Sequence, residues 1–219
     1  MANKLIEFVC DGNKGRSPVA EVIANDYLRA KLVYPRYQAI SSGTSVTQIK
    51  DDTVPISVRL KIIEVAKQRE LYAAVELEVL GQAIEKNDTK LIKHFYDLAV
   101  KEFSIEEDRF RRHIPPALGI DGFIDGLIKD SQEQTMARPH TIGIFSMTEQ
   151  SSRKVHKIYN ASYYQPPVID VLSRYATANP EAEIPNTFGM PIETYIAFVR
   201  QLDKEVPMAI DKLLMEHKH

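Results

Sequence analysis

Short apolar runs and longer amphipathic segments alternate at both ends of the chain. Runs typical of buried strands lie at residues 4–9, 37–42, 141–147 and 166–171. Apolar residues recur every three or four positions, as in helices, at residues 18–32, 55–67, 150–159 and 190–216. We expect the last helix to bend near Pro207. Strands that alternate with helices indicate an α/β fold, with a parallel sheet covered by helices on both faces.

The segment of residues 70–139 departs from this alternation. Helical spacing is found at residues 70–85 and 90–103, and Pro115-Pro116 should end any helix before residues 119–128. We predict a single domain over residues 1–219, in which residues 70–139 are a helical insertion. The insertion could cap a binding site, form a partner surface or add a packing layer, and the sequence leaves these alternatives open.

The chain has one cysteine, Cys10, which directly follows the first predicted strand. Five residues separate it from Arg16, and Ser17-Pro18 begins the first predicted helix. A connection of this length can turn its backbone N–H groups toward one point and form a nest for an anion. The planar charge of Arg16 matches two oxyanion oxygens, and the positive end of the helix faces the same point.

These surroundings would favour a thiolate at Cys10, because a field that holds phosphate also lowers the pKa of a thiol. A small buried hydrophobe is the commoner role of a lone cysteine, but the strand, loop and helix start around Cys10 favour chemistry. We expect the site at the carboxyl ends of the strands. The predicted phosphate-binding residues are Asp11, Gly12, Asn13, Lys14, Gly15 and Arg16.

The stretch from Val9 to Glu21 resembles the phosphate loop of the low-molecular-weight protein tyrosine phosphatases, V-C-x-G-N-x-C-R-S-P-x-A-E. Three later segments resemble that family in the same order, at residues 40–44, 142–148 and 184–195. The resemblance leaves residues 70–139 unmatched. It implies a three-layer α/β sandwich with a four-stranded parallel sheet in the flavodoxin-like order 2-1-3-4.

The resemblance also implies roles for individual residues. Cys10 would be the nucleophile, Arg16 the phosphate clamp, and Ser17 a donor that stabilises the thiolate. Asn13 would hold the shape of the loop, with Ser41 as its partner. No metal and no cofactor is implied. The implied partners are a phosphorylated protein or a small aryl phosphate, with inorganic phosphate or sulfate able to occupy the loop.

The acid position departs from the family pattern. The family's general acid is the aspartate of a D-P pair, and this chain has Asn186 there. An amide cannot protonate a leaving phenolate, which removes a contribution of about 10²–10⁴-fold. Asp170, at the end of the fourth predicted strand, is our candidate replacement, and a helix N-cap is its alternative role. Phe188 stands where the family has an aromatic residue and would form a wall for the substrate ring.

Two positions in the loop also differ from the family. Gly15 stands where the family often has a second cysteine that traps the oxidised nucleophile as a disulfide, so Cys10 should over-oxidise more easily. Asp11 places a carboxylate in a loop built for an anion. It could weaken phosphate binding, point outward without effect, or serve as a displaced proton donor.

Composition limits the remaining function classes. The net charge of −2 gives no electrostatic reason for binding nucleic acid or an anionic membrane. The basic residues 109–113 follow the acidic residues 106–108, and we predict a solvated helix face there. One cysteine excludes an internal disulfide and fits a reducing compartment. With no secretory signal and no apolar stretch of membrane-spanning length, we predict a cytoplasmic protein.

The function that these features favour is a cysteine-dependent phosphomonoester hydrolase, similar to a protein tyrosine phosphatase, that acts through a phosphocysteine intermediate. The alternative is a weakly active or inactive module that binds phosphate or a phosphoprotein, because the acid position holds Asn186. A thioredoxin-coupled arsenate reductase needs further cysteines, which this chain lacks. A reductase that borrows glutathione remains open.

Overall fold

A parallel four-stranded sheet organises the described residues, which in this computed structural model are 3–120, 133–162 and 167–217. Its strands are β1 (Lys4–Cys10), β2 (Tyr37–Gly43), β3 (Thr141–Ser146) and β4 (Val168–Val171). The strand order is β2-β1-β3-β4, and every neighbouring pair is parallel. The predicted fold class and the order 2-1-3-4 are therefore confirmed.

Helices connect the strands and extend the chain beyond the sheet. They are α1 (Arg16–Ala30), α2 (Val46–Lys50), α3 (Ile56–Gln68), α4 (Ala74–Glu85), α5 (Thr89–Ala117), α6 (Glu149–Asn160), α7 (Leu172–Thr177) and α8 (Ile192–Glu216). α8 runs without interruption through Pro207. None of the helices in the described part of the chain is both long enough and apolar enough to cross a membrane.

The sheet is covered on both faces, because successive side chains of a strand point to opposite sides. Phe8 of β1 and Phe145 of β3 belong to the core that the sheet shares with α1 and α8. Val9 and Ile144, their neighbours along the strands, pack with Val155 of α6 on the other face. The result is a three-layer sandwich of helices, sheet and helices.

The helices α3, α4 and α5 enclose a further apolar core, which we call the helical cluster. Its buried members are Ile63, Ala66, Tyr72, Leu80, Ala83, Ile92, Phe95, Ala99 and Phe103. The second half of α5 leaves this cluster, and its Phe110 and Ile114 join the core of the sheet. α5 therefore spans both cores with one continuous buried face.

One element is longer than the apolar spacing indicated. That spacing was recognised over residues 90–103, but α5 continues to Ala117, because its apolar stripe continues through Phe110 and Ile114. Pro115 and Pro116 lie in its last turn, where the missing N–H groups affect only the helix end. Between β2 and α3 the chain forms the short helix α2, whose first residue, Val46, is fully buried.

The predicted insertion is described only in part. Residues 70–120 and 133–139 contain α4 and α5, while residues 121–132, and with them most of the predicted segment 119–128, lie outside the described residues. After this gap the chain runs beside the end of β2, where Gly43 and Gln134 form an isolated parallel bridge. That residues 70–139 are an insertion in a single domain stays a prediction.

Candidate functional site

β1 ends at Cys10 and α1 begins at Arg16, so residues 11–15 form the turn that joins them. The side chain of Cys10 is only 3% exposed, but its sulfur does not face purely apolar neighbours. The backbone N–H of Asn13 donates to the Cys10 Sγ at 3.2 Å, and the Ser17 Oγ lies 3.1 Å from that Sγ. The Asn13 N–H is a donor that suits a sulfur carrying negative charge, and in the contact between Cys10 and Ser17 either atom can be the donor.

The Ser17 hydroxyl links the sulfur to the rest of the loop. It lies 2.9 Å from the Asn13 Oδ1, to which it donates, and 3.2 Å from the carbonyl oxygen of Ser42. Asn13 has a φ of +50°, in the left-handed region that asparagine tolerates better than most residues. Asn13 is thus buried at the bend of the loop, where a supporting residue is needed. The Ser41 hydroxyl donates to Glu21 at 2.6 Å, and its predicted pairing with Asn13 stays a prediction.

The guanidinium of Arg16 is held inside the site, with 7% of the residue exposed. Its Nη1 donates to the carbonyl oxygen of Ile184 at 3.2 Å, and its Nη2 lies 3.4 Å from a carboxylate oxygen of Asp11. Arg16 therefore connects the loop after β1 with the segment that leads to Asn186. The structure brings Cys10, Arg16 and Ser17 to one turn, and their roles as nucleophile, clamp and donor stay predictions.

Gly43, the last residue of β2, lies against the backbone of this loop. A Cβ atom on Gly43 would lie 2.7 Å from the Asp11 carbonyl oxygen and 2.9 Å from the Asn13 nitrogen. The N–H of the next residue, Thr44, donates to the Cys10 carbonyl oxygen at 3.0 Å. Only glycine allows this approach, so the end of β2 sets the path of the loop.

Asp11 belongs to the charge network of the site. Besides Arg16, its carboxylate accepts hydrogen bonds from the hydroxyls of Thr44 and Ser151, each at 3.3 Å, and lies 3.6 Å from the Lys154 Nζ. The side chain is 42% exposed. Of the three alternatives for Asp11, this geometry disfavours an outward orientation without effect.

α5 contacts the same loop from the opposite side. The Arg111 guanidinium donates to the Lys14 carbonyl oxygen. Glu107 fills the space above Gly15, where an added Cβ atom would collide with its Oε1 and lie 3.2 Å from its Cδ. Burial raises the pKa of Glu107, and the charges of Arg111, Arg16 and Lys14 act to lower it.

The solvated helix face predicted around residues 106–113 is therefore wrong for Glu107 and Phe110, which are 6% and 5% exposed. Both residues were missed because the apolar spacing was followed only to residue 103 and the charged residues beyond it indicated a solvated face. The available signal was the spacing, since position 107 continues the apolar stripe of Phe95, Ala99 and Phe103.

The segment of residues 184–189 is held against the helical cluster. Its Asn186 is exposed, and the Asn186 Oδ1 accepts a hydrogen bond from the Phe188 N–H at 3.5 Å. The ring of Phe188 packs edge to face on Phe103, with 5.7 Å between the ring centroids. The carbonyl of Gly189 accepts a hydrogen bond from Arg69 at 2.7 Å. The role of Phe188 as a wall for substrate stays a prediction, because the ring contact in the structure is with Phe103.

Asp170, the candidate replacement acid, lies near the end of β4. Its carboxylate accepts a hydrogen bond from the Val171 N–H at 2.7 Å and lies 3.7 Å from Arg174, which pairs with Glu149. The N-cap of α7 is Val171, so the alternative role of Asp170 as an N-cap is wrong. No contact joins Asp170 to the Cys10 loop among the described residues, which also contain no cluster of three metal-ligating side chains.

Comparison with known proteins places this geometry in a structural class. No protein-family model and no curated protein matches the chain. Solved structures do match: a protein tyrosine phosphatase from Entamoeba histolytica, with Hepes in its active site, is 16% identical, with a TM-score of 0.57 and coverage of 100% of both chains.

Two further matches agree. The low-molecular-weight protein tyrosine phosphatase from T. tengcongensis is 18% identical, with a TM-score of 0.52 and coverage of 96% of this chain and 99% of that one. A low-molecular-weight phosphotyrosine phosphatase from Vibrio cholerae is 13% identical, with a TM-score of 0.51 and coverage of 98% and 99%. The chain therefore has the fold of the low-molecular-weight protein tyrosine phosphatases.

Proposed function

We propose that this chain is a cysteine-dependent phosphomonoester hydrolase with chemistry similar to that of a protein tyrosine phosphatase. The observation that carries the proposal is the environment of the Cys10 sulfur. It lies at the carboxyl end of β1, with the Asn13 N–H and the Ser17 hydroxyl at 3.2 and 3.1 Å. The guanidinium of Arg16 is buried beside the same turn.

The reaction has two steps. The Cys10 thiolate attacks phosphorus in line, and the bond between phosphorus and the ester oxygen breaks, so the leaving oxygen keeps the electron pair and takes a proton. Water then attacks the phosphocysteine, which releases phosphate and restores the thiolate. Arg16 and the N–H groups of the loop stabilise the charge of the equatorial oxygens in both steps.

The source of the proton for the leaving group separates this chain from the family pattern. Asn186 offers an amide, and Asp170 is engaged with Arg174. Asp11 lies in the loop itself, but its carboxylate is likewise engaged with a guanidinium, 3.4 Å from the Arg16 Nη2. Without the family's acid, turnover depends strongly on the leaving group, so good leaving groups are hydrolysed faster than alkoxides.

The proposed substrate is phosphotyrosine in a protein or a small aryl phosphate, since these esters have better leaving groups than phosphoserine. Inorganic phosphate or sulfate would occupy the loop as product or product mimic. The Hepes in the active site of the similar Entamoeba histolytica phosphatase supports an anion site at this place in the fold. A reducing compartment such as the cytoplasm would keep the single thiol reduced.

The test compares the hydrolysis of p-nitrophenyl phosphate, phosphotyrosine and phosphoserine. We expect rates in that order, and we expect Cys10→Ser to abolish all three. Asn186→Asp should raise kcat for phosphotyrosine by about 10²-fold and change kcat for p-nitrophenyl phosphate much less, because only the poorer leaving group needs a proton. Asn186→Gln is the matched control and should resemble the parent. Activity that survives Cys10→Ser would refute the mechanism.

A second candidate function is a module that binds phosphate or a phosphoprotein and turns it over slowly or not at all. The observation in its favour is the exposed Asn186 beside an otherwise assembled loop. Rapid-quench experiments with p-nitrophenyl phosphate distinguish the two functions. A hydrolase forms phosphoenzyme in a burst, whereas a binding module shows phosphate affinity and no burst.

A further inference from the structure

α5 carries a glutamate where its apolar stripe predicts a hydrophobic side chain. Glu107 lies on the buried face of the helix, between Phe103 of the helical cluster and Phe110 of the sheet core. Only 6% of Glu107 is exposed, and no described residue donates a hydrogen bond to its carboxyl. A buried carboxylate without hydrogen-bond donors is disfavoured, so the charge of Glu107 depends on nearby cations.

The position of Glu107 gives it access to the loop. Its carboxyl lies directly over Gly15, the N-cap residue of α1. The first turn of α1 has no acidic residue, and no side chain caps it. Glu107 therefore places a carboxyl group, from a distant part of the sequence, against the positive end of this helix.

Charged and titratable groups from four parts of the fold face Glu107. They are Arg111 on α5, Lys14 in the loop, Arg16 on α1 and Tyr195 on α8. Burial and then the charge of Glu107 raise the pKa of Tyr195, whose buried hydroxyl has no hydrogen-bond partner among the described residues. The cations that offset the charge of Glu107 thus include Arg16, the proposed phosphate clamp.

We propose that Glu107 is a positioning residue of the oxyanion site and takes up a proton when a dianion enters the loop. The proposal rests on the proposed function, because it requires an oxyanion beside Arg16. Before the dianion binds, Arg16 and Lys14 help to offset the carboxylate charge. The bound dianion then competes for the same cations, and the buried carboxylate is neutralised by a proton from solvent.

Asp11 also lies beside Arg16, but its surroundings differ. Its side chain is 42% exposed and contacts Thr44, Ser151 and Lys154. Asp11 is thus open to water and has a cation, Lys154, that is not part of the loop, whereas Glu107 is buried. The proton uptake is therefore assigned to Glu107.

The test measures sulfate binding by calorimetry in a Cys10→Ser parent. Sulfate keeps its double charge throughout the neutral range, and the substitution removes the titrating thiol, so neither obscures the linkage. Two amine buffers with different ionisation enthalpies report how many protons are taken up, and they add no oxyanion of their own. The binding constant is then measured as a function of pH.

We expect sulfate binding to the parent to take up protons, and its affinity to fall about tenfold per pH unit over the range in which Glu107 ionises. Adding Glu107→Gln should abolish both effects. Glu106→Gln is the matched control, because it removes the neighbouring carboxyl that pairs with Arg69, and it should change neither effect.

Glu107→Met, which is similar in length and apolar, provides a second variant if the amide prevents folding, and we expect the same loss of linkage. Equal proton uptake with and without Glu107, or no uptake in the parent, overturns the proposal. A parent that binds no sulfate at any pH refutes the oxyanion loop itself, and the proposal fails with it.

Discussion

The loop after β1 and the helix α5 contribute to one site in different ways. The loop places Cys10, Asn13 and Arg16 within one turn of consecutive chain, mostly through backbone geometry. α5, which is distant in the sequence, contacts the same turn with two side chains, Glu107 and Arg111. The comparison teaches that the groups proposed to react are local in sequence, whereas part of the electrostatic environment that controls them is not.

The largest effect is expected for Gly43→Ala, which tests the close approach of β2 to the loop after β1. The added Cβ would meet the backbone of Asp11 and Asn13, which cannot move without displacing the loop, so we expect a loss of about 3 kcal/mol in the free energy of unfolding. Urea unfolding measures it. Gly81→Ala, in the open on α4, is the control and should stabilise by about 0.5–1 kcal/mol. Equal effects at the two glycines would contradict the close approach at Gly43.

The contact between α5 and the loop is tested by a double-mutant cycle between residues 15 and 107. Gly15→Ala should destabilise the protein by about 2 kcal/mol, because the new methyl group collides with the carboxyl of Glu107. With Glu107→Ala already present the collision disappears, so we expect a favourable coupling of about 1–2 kcal/mol in unfolding experiments. The same cycle with Glu106→Ala should be additive. Additivity with Glu107 as well would show that α5 does not restrict the loop.

The smallest effect is expected for the ring contact between Phe103 of α5 and Phe188 in the segment of residues 184–189. Phe188→Leu removes an edge-to-face contact with Phe103 and should lower stability by about 1 kcal/mol. Thermal unfolding checks this value, and Phe103→Leu should remove the same contact. The KM for p-nitrophenyl phosphate, measured on the Phe188 variant, separates packing from substrate contact. An unchanged KM would end the proposed role of Phe188 as a substrate wall.

The sequence predicted the sheet correctly, and with it the strand, turn and helix start around Cys10. The four strands stand out as apolar runs, and the spacing from Cys10 to Ser17 describes a strand, a turn and a helix start. The place of the loop in the fold then follows, because parallel strands have their carboxyl ends at the same edge of the sheet. The position of Arg16 was predictable for the same reason, because Arg16 lies at the start of the first helix.

The contacts made by α5 could not be predicted in the same way. Glu107 lies far from Gly15 in the sequence, and its charged neighbours Glu106 and Asp108 favoured the prediction of a solvated helix face. The pairing depends on how two helices pack, which no local pattern encodes. Gly43 was a similar case, since its role comes from the approach of another segment's backbone.

The hydrogen bond from Arg16 to the carbonyl of Ile184 has a consequence for how the candidate site could diversify. A carbonyl belongs to the main chain, so its ability to anchor the guanidinium does not depend on which side chains follow it. Residues 185–188 can therefore change identity, and with it the proton chemistry proposed for the leaving group. The hydrogen bond that positions Arg16 is retained. Within this architecture, turnover and affinity can be tuned as separate properties.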